Sequence, residues 1–303
     1  MGWTLDVAGH AVSLPGVAAL GLGVGWVAGM FGVGGGFLLT PLLTIAFGVP
    51  LEIAVGTGLC QMVGTAAAAL LGHRSQGQGE VRCDLVLLLP SLLGVEVGAM
   101  ALARLEDAGS VALGGGHIPL ARLVAMLGYA VVLLVAAAMF GRGGRGDLEE
   151  TVHARRGPLA RIVLPPAIDL PAVPLRRVSA PLLAYLGLGL GVLSGFLGIG
   201  GGVALMPVLV YGLGFPLRQA AGTGILALCA TATMGTLVHA RRGHVDLELA
   251  MVLLVGSTLA AQLGARATRS ASPRVLRRGF AGLILITVTA IGWDLARRAR
   301  GGF

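Results

Sequence analysis

Gly32-Val33-Gly34-Gly35-Gly36 with Pro41 behind it, and Gly198-Ile199-Gly200-Gly201-Gly202 with Pro207 behind it, decide how this chain folds. Each sits inside a strongly apolar run, near 14–48 and near 180–214. Glycine is a poor helix former, costing about 1 kcal/mol against alanine at each position. In hydrocarbon, the backbone groups that a broken helix frees must find partners in protein, in a cavity or in a ligand. A run of about 35 residues reaches about 52 Å as helix, too long for one span of a roughly 30 Å core and short for two. A full helix, a glycine turn and a shorter partner fits that length; so does one long broken span.

The rest of the chain reads as membrane protein. Of its 303 residues 55% are hydrophobic and 12% charged, about half the charge of a soluble domain. Apolar runs of about 20 residues, the length of a helical span, recur throughout. No Arg or Lys stands between Met1 and His10, so the first apolar run is expected to stay as a membrane helix rather than act as a cleaved signal. The net charge of +8 falls between the apolar runs, where it reports topology rather than a nucleic-acid partner. Cys60, Cys83 and Cys229 have no metal spacing, and Cys60 and Cys229 read as small packing residues. No HExxH, GxSxG or Walker-type lysine is present, so neither an enzyme nor a cofactor is expected.

A shift of 166 residues, Gly198 against Gly32, lays the second half on the first. Roughly 20 identities fall in about 50 ungapped positions from Gly29 to Gln78, beyond what shared apolarity gives. Gly21, Gly25 and Gly29 match Gly187, Gly191 and Gly195; Gly56-Thr57-Gly58 matches Gly222-Thr223-Gly224; His73 matches His239. After a short indel, Asp84-Leu85 and Asp246-Leu247 open the next helix of each half. The expected fold is an all-α polytopic membrane protein of two homologous four-helix repeats, each beginning with a Gly-broken helix. That makes about eight transmembrane helices, or up to ten elements if the broken stretches form hairpins. The repeats are expected at 12–140 and 179–298, with further helices near 51–72, 84–105, 119–140, 216–238, 246–265 and 277–296. Between them, 141–178 is rich in Arg, Pro and Gly and reads as a flexible cytoplasmic linker. Arg297, Arg298 and Arg300 argue for a cytoplasmic C-terminus too, while the arginines from 266 to 278 compete for the same side; parallel and inverted repeats both stay open.

Glycines every fourth residue, as in Gly21/Gly25/Gly29, suit close helix packing. Three in a row do not, and a chain without Cβ can turn and bring its backbone against a ligand. If helix resumes near Phe37 and Val203, its free N–H groups and dipole favour an anion. Broken helices at corresponding places in two repeats are a pointer to a transporter's binding site. Gly34, Gly35, Gly36, Gly200, Gly201 and Gly202 are therefore candidate substrate contacts, with Pro41 and Pro207 as structural hinges near the new first turns. Thr57, Gln61 and Thr65 share a helix face; Thr223 and Thr231 keep it, while Ala227 replaces Gln61. Thr57, Gln61 and Thr223 join the candidate contacts, against the plainer reading that membrane threonines bond their own helix. Glu96, aligned with Thr258, is a carboxylate inside an apolar helix and a candidate proton-coupling group. Asp84 and Asp246 read as helix N-caps, and His73 and His239 as interfacial anchors.

The segment from Ser194 through Gly198-Ile199-Gly200-Gly201-Gly202 to Pro207, and its first copy from Gly29 to Pro41, resemble the repeated signature of the TauE/SafE sulfite exporter family, also called the toluene sulfonate uptake permease family. Ala54-Val55-Gly56-Thr57 and Ala220-Ala221-Gly222-Thr223 add to the likeness, which covers both halves outside the linker. The resemblance implies a bacterial inner-membrane transporter of sulfite, sulfonates or related anions, often an exporter. The long basic linker and the missing counterpart of Gln61 depart from the pattern. The leading expectation is a secondary carrier, an exporter of a small sulfur oxyanion or organosulfonate. The lipid bilayer and a coupling proton or sodium ion would be its other partners. The alternatives are a passive anion channel and a non-transporting assembly subunit.

Overall fold

The computed structural model of the chain describes residues 4–7, 9–31, 34–75, 77–113, 116–142, 157–173, 175–270 and 273–300. Gly32, Val33 and the 143–156 part of the basic segment lie outside the described residues. The first half carries helices α1 (Leu14–Phe31), α2 (Gly36–Ala46), α3 (Leu51–Ser75), α4 (Val81–Asp107) and α5 (Leu120–Arg142). The second carries α6 (Ala180–Leu197), α7 (Gly202–Pro207) running on as a π-helical turn Val208–Leu213, α8 (Leu217–Gly222), α9 (Ile225–Ala240), α10 (Leu247–Ser270) and α11 (Pro273–Ala299). Among the described residues five helices are long and apolar enough to cross a membrane: α4, α6, and the stretches Leu51–Leu71, Leu120–Met139 and Leu247–Gly264. The chain is predominantly helical and has the make-up of a multi-pass membrane protein.

The all-α expectation needs one correction. Three antiparallel ribbons punctuate the helices: β1 (Thr4–Val7) with β2 (His10–Ser13), β3 (Ser110–Leu113) with β4 (Gly116–Pro119), and β5 (Ala167–Leu170) with β6 (Leu175–Ser179). Alternation explains the first: Val7 and Val12 are buried, and Asp6 accepts the Gly9 N–H to close the turn. The last ribbon lies in the segment read as a linker and is docked. The Ala172 N–H donates to a Glu80 carboxylate oxygen at 2.6 Å, and the Gly157 N–H to the Leu213 carbonyl.

The first helix of each half packs on a long helix of the other half, α1 on α10 and α6 on α4. Along α1, a Cβ on Gly21 would stand 3.1 Å from the Leu253 carbonyl, and on Gly25 or Gly29 it would overlap the backbone of Ser257 or Ala261. Gly187, Gly191 and Gly195 of α6 meet Leu87, Ser91 and Val95 of α4 in the same way. Small residues thus let two pairs of backbones touch, and the two pairs run parallel. The pairings keep the 166-residue shift throughout: Leu87 answers to Leu253, Ser91 to Ser257, Val95 to Ala261. No indel intervenes. Glu80, not Asp84, therefore stands where Asp246 stands, and Glu96 answers to Gln262 rather than Thr258.

The glycine turns fold the chain back. A Cβ on Gly35 would press on Val24, and one on Gly16 would stand 2.9 Å from the Phe47 ring, so α2 returns alongside α1. Gly201 packs on Leu190 as Gly35 does on Val24. The corresponding helices α3 and α9 cross in opposite directions, with Gly56 against His239 and Leu59 against Gly235. At one end of the bundle Arg122, opening α5, donates to the Thr44 carbonyl and pairs with Asp294 near the end of α11 at 2.8 Å. The docked ribbon beside Glu80 is at the other end, past the 25 residues of α3. The inter-half segment and the end of α11 thus lie at opposite ends, and arginine excess cannot place both on one side of the membrane.

Candidate functional site

The two glycine turns meet where α3 and α9 cross. A Cβ on Gly34 would lie 3.8 Å from the tip of Met62 and 3.7 Å from Leu228. One on Gly200 would overlap Met62 and stand 2.7 Å from Leu228; one on Gly36 would overlap Met62 and stand 2.7 Å from the Gly198 carbonyl. Gly34 and Gly200 hold φ of 69° and 70°, the left-handed region that side chains avoid. Sequence reasoning placed these six glycines in one site, and the structure brings both turns to a shared apolar contact.

The halves then diverge. Around the second turn a cavity of about 20 Å³ is lined by Ser91, Gly200, Gly201, Gly202, Ala227 and Thr231, among others. That is room for a single water. In the corresponding place of the first half, the Gln61 amide reaches across and donates to Ser257. Ala227, its counterpart, has no reach toward Ser91, whose hydroxyl bonds back to the Leu88 carbonyl at 2.7 Å. Gln61 is buried, and its Oε1 has no partner among the described residues.

Thr57 and Thr223 are buried, and each binds the other half. The Thr57 hydroxyl accepts the Asp246 N–H at 3.0 Å and the Thr223 hydroxyl accepts the Glu80 N–H at 3.0 Å. Thr223 also donates to the Gln219 carbonyl, while Thr65 and Thr231 bond back to their own helices. The threonine oxygens thus tie α3 to the start of α10 and the α8–α9 segment to the start of α4. Asp246 is the expected N-cap, accepting the Leu249 N–H. At α4 the cap is Glu80, whose carboxylate oxygens accept the N–H groups of Arg82 and Ala172.

Asp84, freed from the capping role, is fully buried; it pairs with Arg74 and accepts the Gly224 N–H. Gly224 is available because the second half breaks its helix at Thr223–Gly224, with Gly224 at φ 87°, where α3 runs unbroken through Gly56-Thr57-Gly58. Gly224 also lines the cavity. The places corresponding to Asp84 and Arg74 are held by Ala250 and Ala240. Sequence reasoning missed the pair; its one signal was an Arg and an Asp ten residues apart across a glycine-containing turn. Glu96 is half-buried beside exposed apolar positions such as Leu93 and Val97 and has no polar partner among the described residues.

Other expectations resolve singly. Pro41 lies inside α2 and Pro207 ends α7, where the π-helical turn begins. His239 is no interfacial anchor: it is fully buried, with Nε2 bonded to the Gly195 carbonyl at 3.0 Å. The side chain of His73 lies outside the described residues. Among the described residues no cluster of three or more His, Cys, Asp or Glu is placed to hold a metal ion.

Comparison with known proteins bears on what such a site serves. The chain is 31% identical over 268 residues to a probable membrane transporter protein of Xylella fastidiosa (strain 9a5c), covering 88% of this chain and 89% of that one. It is 25% identical over 273 residues to the probable membrane transporter protein YdhB of Bacillus subtilis, covering 87% and 96%. A probable membrane transporter protein of Methanocaldococcus jannaschii is 22% identical over 278 residues, covering 87% and 90%. No solved structure matches the chain. The family model for the sulfite exporter TauE/SafE matches residues 17–291, and the chain belongs to that family of membrane transporters.

Proposed function

We propose that this protein is a secondary carrier, an exporter in the bacterial inner membrane, for a small sulfur-containing anion such as sulfite or an organosulfonate. The observation that carries the reading is the cavity beside the second glycine turn, lined by Ser91, Thr231 and the glycines of that turn. Glycine backbone that a ligand can approach closely suits an oxyanion that must be released again. A space of about 20 Å³ holds no sulfonate, so transport by this site requires the surrounding helices to part. That closure favours a carrier over an open anion channel.

The packing supports an inverted repeat of eight spans with α2 and the α7 stretch as short returning helices. Corresponding helices run in opposite directions, and each half grips the other through one glycine ladder. Such a pair can rock about the shared contact of Met62 and Leu228, exposing the cavity to either side in turn. In that motion Gly34, Gly35 and Gly36 supply the hinge opposite Gly200, Gly201 and Gly202, Pro41 and Pro207 keep the return helices pliable, and Thr57 and Thr223 hold the fixed ends. Thermal unfolding of the purified protein with sulfite, sulfoacetate, taurine and sulfate tests it. A rise in Tm for one or two of these, saturating with concentration, is expected; no response to any of them refutes the reading.

A further inference from the structure

Asp84 and Arg74 form an ion pair one backbone N–H away from the cavity, in one half only. Asp84 has no exposed side chain surface, whereas Arg74 is 28% exposed. The charged groups facing Asp84 are Arg74 from α3 and Glu80 from the turn before α4; Cys83 is its neighbour in sequence and Gly224, from the start of α9, gives it an N–H. Glu80 is already satisfied by two backbone N–H groups. Among the described residues Arg74 is therefore the cation that balances Asp84.

We propose that Asp84 and Arg74 are the coupling pair of the carrier, Asp84 taking up one proton for each anion that Arg74 accepts. The inference rests on the transport reading above and deepens it. Empty, the pair holds Arg⁺ and Asp⁻, with no net charge of its own; Glu80 adds the same charge to every state and drops out of the count. An arriving monovalent anion competes for Arg74 and leaves Asp84 an unpaired carboxylate in an apolar setting, which is strongly disfavoured. A proton from water neutralises it: the carboxylate lone pair forms the new O–H bond, and the site holds Arg⁺, the anion and a neutral acid. Both permitted states are neutral, and each state with a single ligand carries one net charge. Neutrality thus enforces one proton per monovalent anion. The Gly224 N–H, released as Asp84 is protonated, turns to the anion side of the cavity wall. The pair fixes the stoichiometry, and the anion and proton gradients together fix the direction.

Methanesulfonate is the informative probe, since it stays monovalent at any working pH and any proton moved must ride on the protein; sulfite serves as a second probe. Flux into proteoliposomes holding a pH-sensitive dye should carry one proton per anion and be indifferent to an imposed membrane potential. Apparent anion affinity should fall about tenfold per pH unit once the pH exceeds the titration of the empty site, and level off only above that of the loaded site. D84N should keep anion counterflow, with protons per anion falling from one to near zero and the pH dependence lost. R74Q should lose anion movement at least tenfold, and E96Q should behave as the unaltered protein. Wild-type flux of either anion without proton movement overturns the proposal however D84N folds. So does D84N that still carries one proton per anion, or E96Q that loses coupling. If neither anion moves or raises Tm in the wild type, the transport reading itself has failed, a different result from uncoupled flux.

Discussion

The two glycine turns are built from nearly the same residues yet end as different places. The first turn, with Gln61 bonded to Ser257 and alanines where an ion pair could be, is a filled joint. The second, with Ala227, a cavity and the Arg74–Asp84 pair, keeps space and charge together. Positions 166 residues apart make a matched frame, and differences at 61/227, 74/240 and 84/250 set its two sides apart. In the proposed carrier one side bears the hinge and the other the ligand.

Exchanging the distinguishing residue should break this comparison with the largest effect. A227Q places an amide where the cavity is and should lower anion flux at least tenfold and abolish any Tm rise with sulfite or taurine. Q61A should retain transport but lose about 1–3 kcal/mol of stability, since a buried amide contact is deleted and Ser257 is left to its own helix. Flux assays and thermal unfolding in detergent read the two. If Q61A removes anion response and A227Q does not, the filled and open sides have been assigned the wrong way round.

Next come the turns themselves. G34A and G200A face the same backbone cost of about 1–2 kcal/mol for a side chain at positive φ. Only Gly200 also has Met62 and Leu228 within overlap or close contact, whereas Gly34 has nothing nearer than 3.7 Å. G200A should therefore destabilise by about 1 kcal/mol more than G34A, and pairing it with a shortened Met62 should recover part of the difference. Equal losses in the two variants would place the strain in φ alone.

The cross-half threonine bonds should give a smaller contrast. T57V and T223V each remove one acceptor for a helix-start N–H, a loss of about 1 kcal/mol. T223V should cost slightly more, because it leaves the Glu80 N–H unpaired beside a broken helix and gives up the bond to the Gln219 carbonyl. Thermal unfolding distinguishes them, and neither should alter protons carried per anion.

Much of this frame was legible in the chain before its structure. The glycine ladders, the broken stretches and the 166-residue correspondence follow from composition and spacing, because small residues at every fourth place have few uses in a bilayer. What was not legible has a physical cause in each case. Gly56-Thr57-Gly58 and Gly222-Thr223-Gly224 are the same tripeptide, yet one is helix and the other a break. At the break the Gly224 N–H goes to Asp84, a residue more than a hundred positions away with an alanine as its counterpart. The supposed indel arose from aligning Asp84 with Asp246 by type. Backbone contacts, which ignore residue type, keep Glu80 opposite Asp246. Glu96 drew attention as an acid in an apolar helix, but helix face, not depth in sequence, decides what a carboxylate meets.

The smallest expected effect is also the cleanest check that both halves share one frame. Gly23 and Gly189 correspond, neither is at positive φ, and neither has a heavy atom within 4 Å of where a Cβ would be. They lie on the faces of α1 and α6 turned away from the ladders. Alanine there gains helix propensity with nothing to displace, so G23A and G189A should each stabilise by about 0.5–1 kcal/mol, raise Tm alike and leave transport unchanged. A ladder glycine two residues on, Gly25 or Gly191, must instead force two backbones apart. If G23A and G189A disagree, the helices they sit on do not occupy equivalent places, and the contrast between a filled and an open side loses the common frame against which it is measured.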